Sequence, residues 1–400
     1  MDLLSSPGCT EQSLAKMLPY YRGGGIVNLM SSTAAALGGR PKYKRLKILP
    51  AKMLGGSKNI ILLVIDGLGY NYLNKYCKES YMHKHLLGKM TSVFPATTAS
   101  AITTFATGEA PMQHAMTGWY MHLKELGAVA TTLNFKPRGT NHCFDIDPRM
   151  VFDQKPFSKK IKAKSYTLTT REIGETHYNR VMSGNAQRVY FKGARDMFRK
   201  LKFFTKQGSH KRFIYAYWGD FDSLLHHQGT KSKTALKQFW MLDRKIAGFA
   251  KRLEPSTKLI ITSDHGFIDT PKVVELEKHP KLKETLTLPL CGDSRAAYCY
   301  VHPSKKQQFE DYVKSRLKNC CTLHRSEELI RNGYFGLFKP NPKLFDRVGD
   351  YALIAKKGYR ITDTLLGEQM SKHLASHSGM TEDEMLVPLI FVCSEIPQNF

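Results

Sequence analysis

The chain is short of the features that would assign it to several broad classes. It has eight cysteines in 400 residues. None are in Cys-x-x-Cys spacing, and Cys320 and Cys321 are adjacent. That argues against a disulfide framework and against a cysteine zinc site, and leaves scattered reduced thiols. No stretch approaches the roughly 18 uninterrupted apolar residues of a membrane span. The Met1–Gly8 stretch has no basic region followed by an apolar one, so no secretory leader is read there and a cytoplasmic protein is expected; export by a route without a leader would leave no such mark. There is no internal repeat and no low-complexity tract. Acidic residues are scarce, 34 against 60 Lys and Arg, for a formal charge of +26. Apolar residues at 42% and aromatics at 11% exclude wholesale disorder.

Half of the excess charge lies in one stretch. Arg149 to Arg212 holds 17 Lys and Arg against four acids, a net of +13. Such a stretch reads as a solvated basic face, or as an electrostatic funnel for a polyanion: nucleic acid, a nucleotide or an anionic membrane surface.

Two segments almost 200 residues apart are the most informative. Asn59–Ile65 and Lys258–Thr262 are apolar, largely β-branched or leucine runs that lead into Asp66-Gly67 and Asp264-His265-Gly266. Runs of this kind read as strands buried on both faces, as in a parallel sheet covered by helices. Open α/β sheets place their ligands at the carboxyl ends of such strands. Met90–Phe94, Phe213–Trp218, Ala296–Val301, Tyr351–Ala355 and Val387–Cys393 also read as strands. Helices are expected at about 26–37, 70–78, 98–107, 185–204, 233–253 and 306–317. The spacing Tyr190, Ala194, Met197, Phe198, Leu201 supports the fourth of these. The organisation expected is a lead-in over 1–57, a catalytic core over 58–284 and 346–400 with a basic insertion at about 120–212, and a small cap over 285–345.

Five segments could build one site. Asp66 and Asp264-His265 end strands. In Phe94-Pro95-Ala96-Thr97-Thr98, a hydroxyl residue follows a proline stop and precedes small helix formers; taken alone, Thr97 or Thr98 reads as a helix cap. Helix N-terminal N–H groups also suit a phosphoryl group. Asp222 and His226 are one helical turn apart, close enough to share a metal. His377 stands in a loop before the last apolar strand. Three Asp, three His and a Thr supply the nitrogen and oxygen donors that two zinc-like ions require.

The order Asp-Gly, Phe-Pro-x-Thr-Thr…Thr-Gly, Asp-x-x-x-His-x-x-Gly, Asp-His-Gly, His-x-Gly resembles the type I phosphodiesterase/nucleotide pyrophosphatase family of the alkaline phosphatase superfamily. The resemblance runs from about Ile26 to Val392. It implies a doubly wound α/β/α sandwich with mixed or mainly parallel strands and a small α+β cap. It also implies two divalent metals, zinc by the histidine content of the site, with Mn²⁺ also accepting such ligands. Asp222, His226 and His377 would hold one metal; Asp66, Asp264 and His265 would hold the other together with Thr98. In the family the nucleophilic Thr lies nine residues before the Thr of a Thr-Gly pair; counting back from Thr107-Gly108 gives Thr98, with Thr97 as the fallback. The reaction implied passes through a phospho-threonine and acts on a phosphorylated, nucleotide-like small molecule. Rival readings are a phosphonate hydrolase, a phosphomonoesterase, a phosphosugar mutase or a non-catalytic polyanion-binding protein. Three departures stand out. Trp119 falls near the place of a phosphate-binding Asn. Gly219-Asp220-Phe221 replaces a Glu-Pro, so that Asp220 competes with Asp222 as ligand. The Cys-x-Pro-x-Arg motif of sulfatases is absent.

Overall fold

A computed structural model describes residues 17–369 and 372–394; the Met1–Gly8 stretch read for a leader lies outside them. The main sheet has seven strands: β1 (Asn59–Ile65), β2 (Leu86–Thr91), β3 (Lys164–Thr169), β4 (Gln187–Tyr190), β5 (Arg212–Trp218), β6 (Thr257–Thr262) and β7 (Leu386–Cys393). They lie in the order β2-β7-β6-β1-β5-β3-β4. From β6 to β4 every pairing is parallel, while β7 runs antiparallel to both β6 and β2.

The apolar run of β1 explains why the sheet is a middle layer. All seven of its residues are buried. Successive side chains of a strand point to opposite faces, so Ile61, Leu63 and Ile65 join one core and Ile60, Leu62 and Val64 the other. The second core is covered by α1 (Ile26–Ala36) and α2 (Thr98–Thr107). The first is covered by α3 (Gly193–Lys206), α4 (Asp220–Gln228) and α5 (Lys233–Ala250). Fully burying one such aliphatic side chain stabilises by about 1.5–3 kcal/mol. Among the described residues no helix is long and apolar enough to cross a membrane.

A second, antiparallel seven-stranded sheet sits beside the first, in the order 321–325, 351–355, 296–299, 291–293, 120–123, 128–131, 136–137. Chain order and spatial layer therefore diverge from the expected organisation. Tyr351–Ala355, grouped with the core on sequence, pairs with 296–299 and 321–325 instead. Part of the 120–212 segment supplies the second sheet, and its remainder supplies β3 and β4 of the first. The helix expected over 185–204 is a strand followed by a helix. Gln187–Tyr190 pairs with β3, and Gly193, at φ +76°, turns the chain into α3. The 306–317 helix becomes a π-type turn over its last five residues.

The two sheets are tied by a buried ion pair. Arg295, in the 293–296 hairpin, donates from Nε to Glu384 Oε1 at 2.5 Å and from Nη2 to Oε2 at 2.9 Å; both side chains are fully buried. Glu384 precedes β7 and also accepts from Gly379 N and Thr381 Oγ1. Burial pushes its carboxyl up, and Arg295 with these donors more than offsets that, so it stays below its ordinary range. Breaking one partner of a buried pair leaves the other charge uncompensated. Glu384→Gln is therefore expected to lower the unfolding free energy by about 3–5 kcal/mol in urea titration, with most of the loss recovered in Arg295→Met/Glu384→Leu. A loss below about 1 kcal/mol, the scale of an exposed pair, would show that the sheets are held by other contacts.

Candidate active site

The strands β6, β1 and β5 are adjacent and parallel, so their carboxyl ends open at one edge of the sheet. Asp264-His265 follows β6, Asp66 follows β1, and Asp222 lies in the first turn of α4 after β5. The glycines after two of these carboxylates meet steric demands. Gly67 has φ +77°, and a Cβ there would lie 2.6 Å from Phe267. A Cβ on Gly266 would lie 2.1 Å from the Asp383 carbonyl oxygen. Close backbone approach of this kind is open only to glycine.

The donor atoms converge. Asp66, Asp264 and His265 present ligand atoms within 4.8 Å of one another, and so do Asp222, His265 and His377. His265 Nε2 is 3.3 Å from Asp66 Oδ1 and 3.4 Å from Asp264 Oδ2. His226 belongs to neither grouping, yet its Nε2 is 3.5 Å from Asp222 Oδ1. His377 Nε2 is 3.9 Å from the same oxygen. In each histidine Nδ1 faces a carbonyl: Ala375 for His226, Gly266 for His265 and Ala96 for His377. A carbonyl fixes the proton on Nδ1 and leaves the Nε2 lone pair aimed at the cluster, as metal-binding histidines require.

The carboxylates show the same division. Asp264 Oδ1 accepts from Gly67 N and His265 N, and Asp66 Oδ2 accepts from Tyr217 Oη. The other oxygens of these two residues, Asp66 Oδ1 and Asp264 Oδ2, are buried without a hydrogen-bond partner, as is Asp222 Oδ1. Burial, and then the neighbouring carboxylates, push Asp66 and Asp222 well above the ordinary carboxylate range. Burial pushes His226 down to about 3 and lowers His265 and His377 too. Acids that resist ionising and imidazoles that resist protonation share one remedy, a divalent cation, which favours carboxylate and neutral imidazole alike. The donor set fits such a cation.

Thr98 is the first residue of α2, and its Oγ1 is 3.1 Å from His265 Nε2. Thr97 is buried at the N-cap, where its side chain makes no capping bond and bonds to Asp293. Asp220 is exposed, whereas Asp222 turns an oxygen into the cluster. Cavities of about 440 Å³ and about 360 Å³ meet at Thr98, Asp222 and Trp119. The sequence reading missed Tyr217, Asp293 and His373, whose ring lies 4.2 Å from His226. Tyr217 was open to detection, since it shares the Phe213 and Tyr215 face of β5; Asp293 and His373 carry no local signal.

A family model for type I phosphodiesterase/nucleotide pyrophosphatase matches residues 60–380. The chain belongs to this family. It is a phosphodiesterase/pyrophosphatase-type hydrolase with the mixed α/β architecture of the alkaline phosphatase superfamily. A comparison with curated protein sequences finds no match. Among solved structures, murine ectonucleotide pyrophosphatase/phosphodiesterase 5, as an inactive variant in complex with AMP, is 18% identical with a TM-score of 0.64, over 82% of this chain and 87% of that one. The human counterpart is 18% identical with a TM-score of 0.63, over 84% and 87%. Phosphonoacetate hydrolase from Sinorhizobium meliloti 1021, in complex with phosphonoformate, is 16% identical with a TM-score of 0.61, over 86% and 93%. At these identities the likeness is one of fold.

Adding Zn²⁺ to chelator-treated protein is expected to raise the thermal midpoint by about 3 °C for each cation bound at a hundredfold excess over Kd, read by calorimetry. Asp264→Asn should lose most of that shift. An unchanged midpoint on zinc addition would remove the cation from the site.

Proposed function

We propose that this hydrolase cleaves phosphodiester or pyrophosphate bonds in nucleotide-like substrates by way of a phospho-threonine on Thr98, at a site for two divalent cations. The carrying observation is the Thr98 hydroxyl at 3.1 Å from His265 Nε2, beside carboxylate oxygens buried without partners. Asp66, Asp264 and His265 would hold one cation and Asp222, His226 and His377 the other; His265, which also groups with Asp222 and His377, lies between the two sets. Zinc suits the histidine share of the donors, with manganese the alternative. When bound, these ions would supply positive charge against the phosphoryl oxygens and lower the pKa of a hydroxyl.

The chain's own residues supply the rest. Tyr217 donates to Asp66 and leaves one carboxylate oxygen directed at the site. Thr98 Oγ1 bonds to phosphorus as the bond from phosphorus to the leaving oxygen breaks, and the leaving oxygen departs as an alcohol or phosphate. Water then attacks the same phosphorus, and the Thr98 oxygen is released with a proton. The free N–H groups in the first turn of α2 face the equatorial oxygens and stabilise their charge. The AMP and phosphonoformate named with the neighbouring structures both carry a phosphorus oxyanion, which supports a phosphorus-centred reaction. The basic 149–212 segment supports steering of anionic substrates.

Hydrolysis of bis(p-nitrophenyl) phosphate and of p-nitrophenyl phosphate tests the reading. Diester cleavage is expected to dominate, to stop with EDTA and to return with Zn²⁺. Thr98→Ala should reduce it on the order of 10³-fold or more, whereas Thr97→Ala should act far less. Dominant monoester cleavage would make the protein a phosphatase on the same scaffold.

A further inference from the structure

The amino end of the main sheet, opposite the catalytic edge, carries cations that the proposed reaction does not use. β1, β5 and β3 enter the sheet side by side. Each brings a basic residue at or just before its first position: Lys58 for β1, Lys211 and Arg212 for β5, and Lys164 for β3. Three of these four belong to the basic 149–212 stretch. Backbone bonds fix them as neighbours: Lys164 N donates to Lys211 O at 3.0 Å, and Arg212 N donates to Lys58 O at 2.8 Å. Asn59, Arg212 and Lys164 are partners in register across the three strands, so their side chains share one face. That face is the one under α3, because Ile61, Ile214 and Tyr166, two positions further along, join the core that α3 covers. β5 runs from Arg212 to Trp218, a span of about 20 Å, which separates this group from the catalytic edge.

Arg212 is the member that the fold leaves unsatisfied. It is 2% exposed. Its Nη1 donates to Asn59 Oδ1 at 3.2 Å, and its Nε is buried without a partner. Among the described residues none of Lys58, Lys164, Lys211 and Arg212 is in an ion pair; Glu254, the acid beside the end of α3, is 3.4 Å from Lys206. A buried guanidinium with no carboxylate is costly. The carboxyl end of α3 lies over this row, where Thr205 O accepts from Asn59 Nδ2 at 3.1 Å. A helix end supplies about half a negative charge, which offsets part of one cation out of four. Beyond α3 the chain crosses Arg212 in an exposed loop, Gly208-Ser209-His210. A Cβ on Gly208 would lie 3.4 Å from Arg212 Nη2, so bare backbone borders the guanidinium on its outer side and leaves room for an anion.

We infer that this end of the sheet binds a phosphate group, with the Arg212 guanidinium at its base and the exposed Lys164 and Lys211 at its rim. A guanidinium fork matches two oxygens of a phosphate, and ammonium groups beside it add charge. Free phosphate and a phosphomonoester headgroup in a membrane share this chemistry. Phe203, 58% exposed on α3 with its ring 5.2 Å from Phe204, would enter the bilayer in the second case. The inference does not depend on the reaction proposed for the catalytic edge.

The test titrates inorganic phosphate into zinc-loaded, full-length protein freed of excess metal, by calorimetry, and repeats the titration in EDTA to remove binding that depends on cations at the catalytic edge. Binding of phosphate is expected to survive EDTA. Lys164→Glu/Lys211→Glu should weaken it roughly tenfold or more, with hydrolysis of bis(p-nitrophenyl) phosphate unchanged. Arg212→Lys, which keeps the charge and loses the fork, should weaken it as well. Co-sedimentation with phosphatidylcholine vesicles, with and without phosphatidic acid, separates the two sources. Sedimentation that requires phosphatidic acid and is lost in Phe203→Ser assigns the headgroup; phosphate binding without sedimentation assigns a soluble phosphate. The inference is overturned if phosphate does not bind in EDTA and the vesicles leave the protein in solution, or if binding is the same in both Lys164→Glu/Lys211→Glu and Arg212→Lys as in the wild type; Arg212 would then only support the end of α3. Diester hydrolysis by the same preparations reports on the hydrolase reading separately.

Discussion

Three carboxylates that the fold brings together while leaving one oxygen of each without a hydrogen bond set the terms for the rest of this molecule. Asp66, Asp222 and Asp264 lie at the ends of neighbouring strands, and burial opposes the ionisation of Asp66 and Asp222. An arrangement of this kind is unfavourable for the folded chain alone. It becomes favourable when divalent cations take up these oxygens, which fall in two groupings that share His265. The features nearest them serve that point: glycines let the backbone approach, Tyr217 occupies the spare oxygen of Asp66, and carbonyls hold the histidine rings.

The second sheet is part of the same arrangement through Glu384. Its carboxylate grips Arg295 from the second sheet and, on the other side, the Gly379 and Thr381 amides that follow His377. Ser378, at φ +90°, sits between His377 and that anchor, and its Oγ accepts from Arg295 N. The loop that carries His377 is thus fixed by a contact that also seats the second sheet. The position of the second sheet and that of His377 are coupled through one ion pair, so a change in the second sheet reaches the site without touching any of its donor residues.

How much of this was legible in the sequence depends on how each piece is encoded. β1 and β6 were readable because a strand buried on both faces is apolar through its middle, as in Ile60–Ile65 and Leu259–Ile261, and the carboxylates that follow stood out against those runs. Asp222 and His226 were readable from helical spacing. His377 had no local signal and gained meaning only beside the other four segments. The second sheet was not readable as a unit: its strands are two to five residues long, too short for periodicity, and Tyr120 finds its partner as far along the chain as Gly292. Tyr351–Ala355 looked like a strand of the main sheet because it is fully buried, although in the second sheet. Tyr190 fitted a helical stripe by spacing, but the left-handed turn at Gly193 separates it from α3. No residue pattern reveals a cavity, so the larger one, beside α2, appears only once helix and strand are brought together.

The charge distribution carries the last step. A formal charge of +26 suggests a protein made for polyanions. The wall of the larger cavity is nevertheless drawn from the most basic stretch and excludes every one of its cations. The two facts agree if outer surface and interior act at different stages. A field from exposed Lys and Arg extends about 10 Å at moderate ionic strength, so it raises the local concentration of any substrate with a phosphate monoanion. It does not discriminate among such substrates, because all of them carry that charge. Discrimination therefore falls to contacts made after arrival, inside the cavities that meet at Thr98, Asp222 and Trp119.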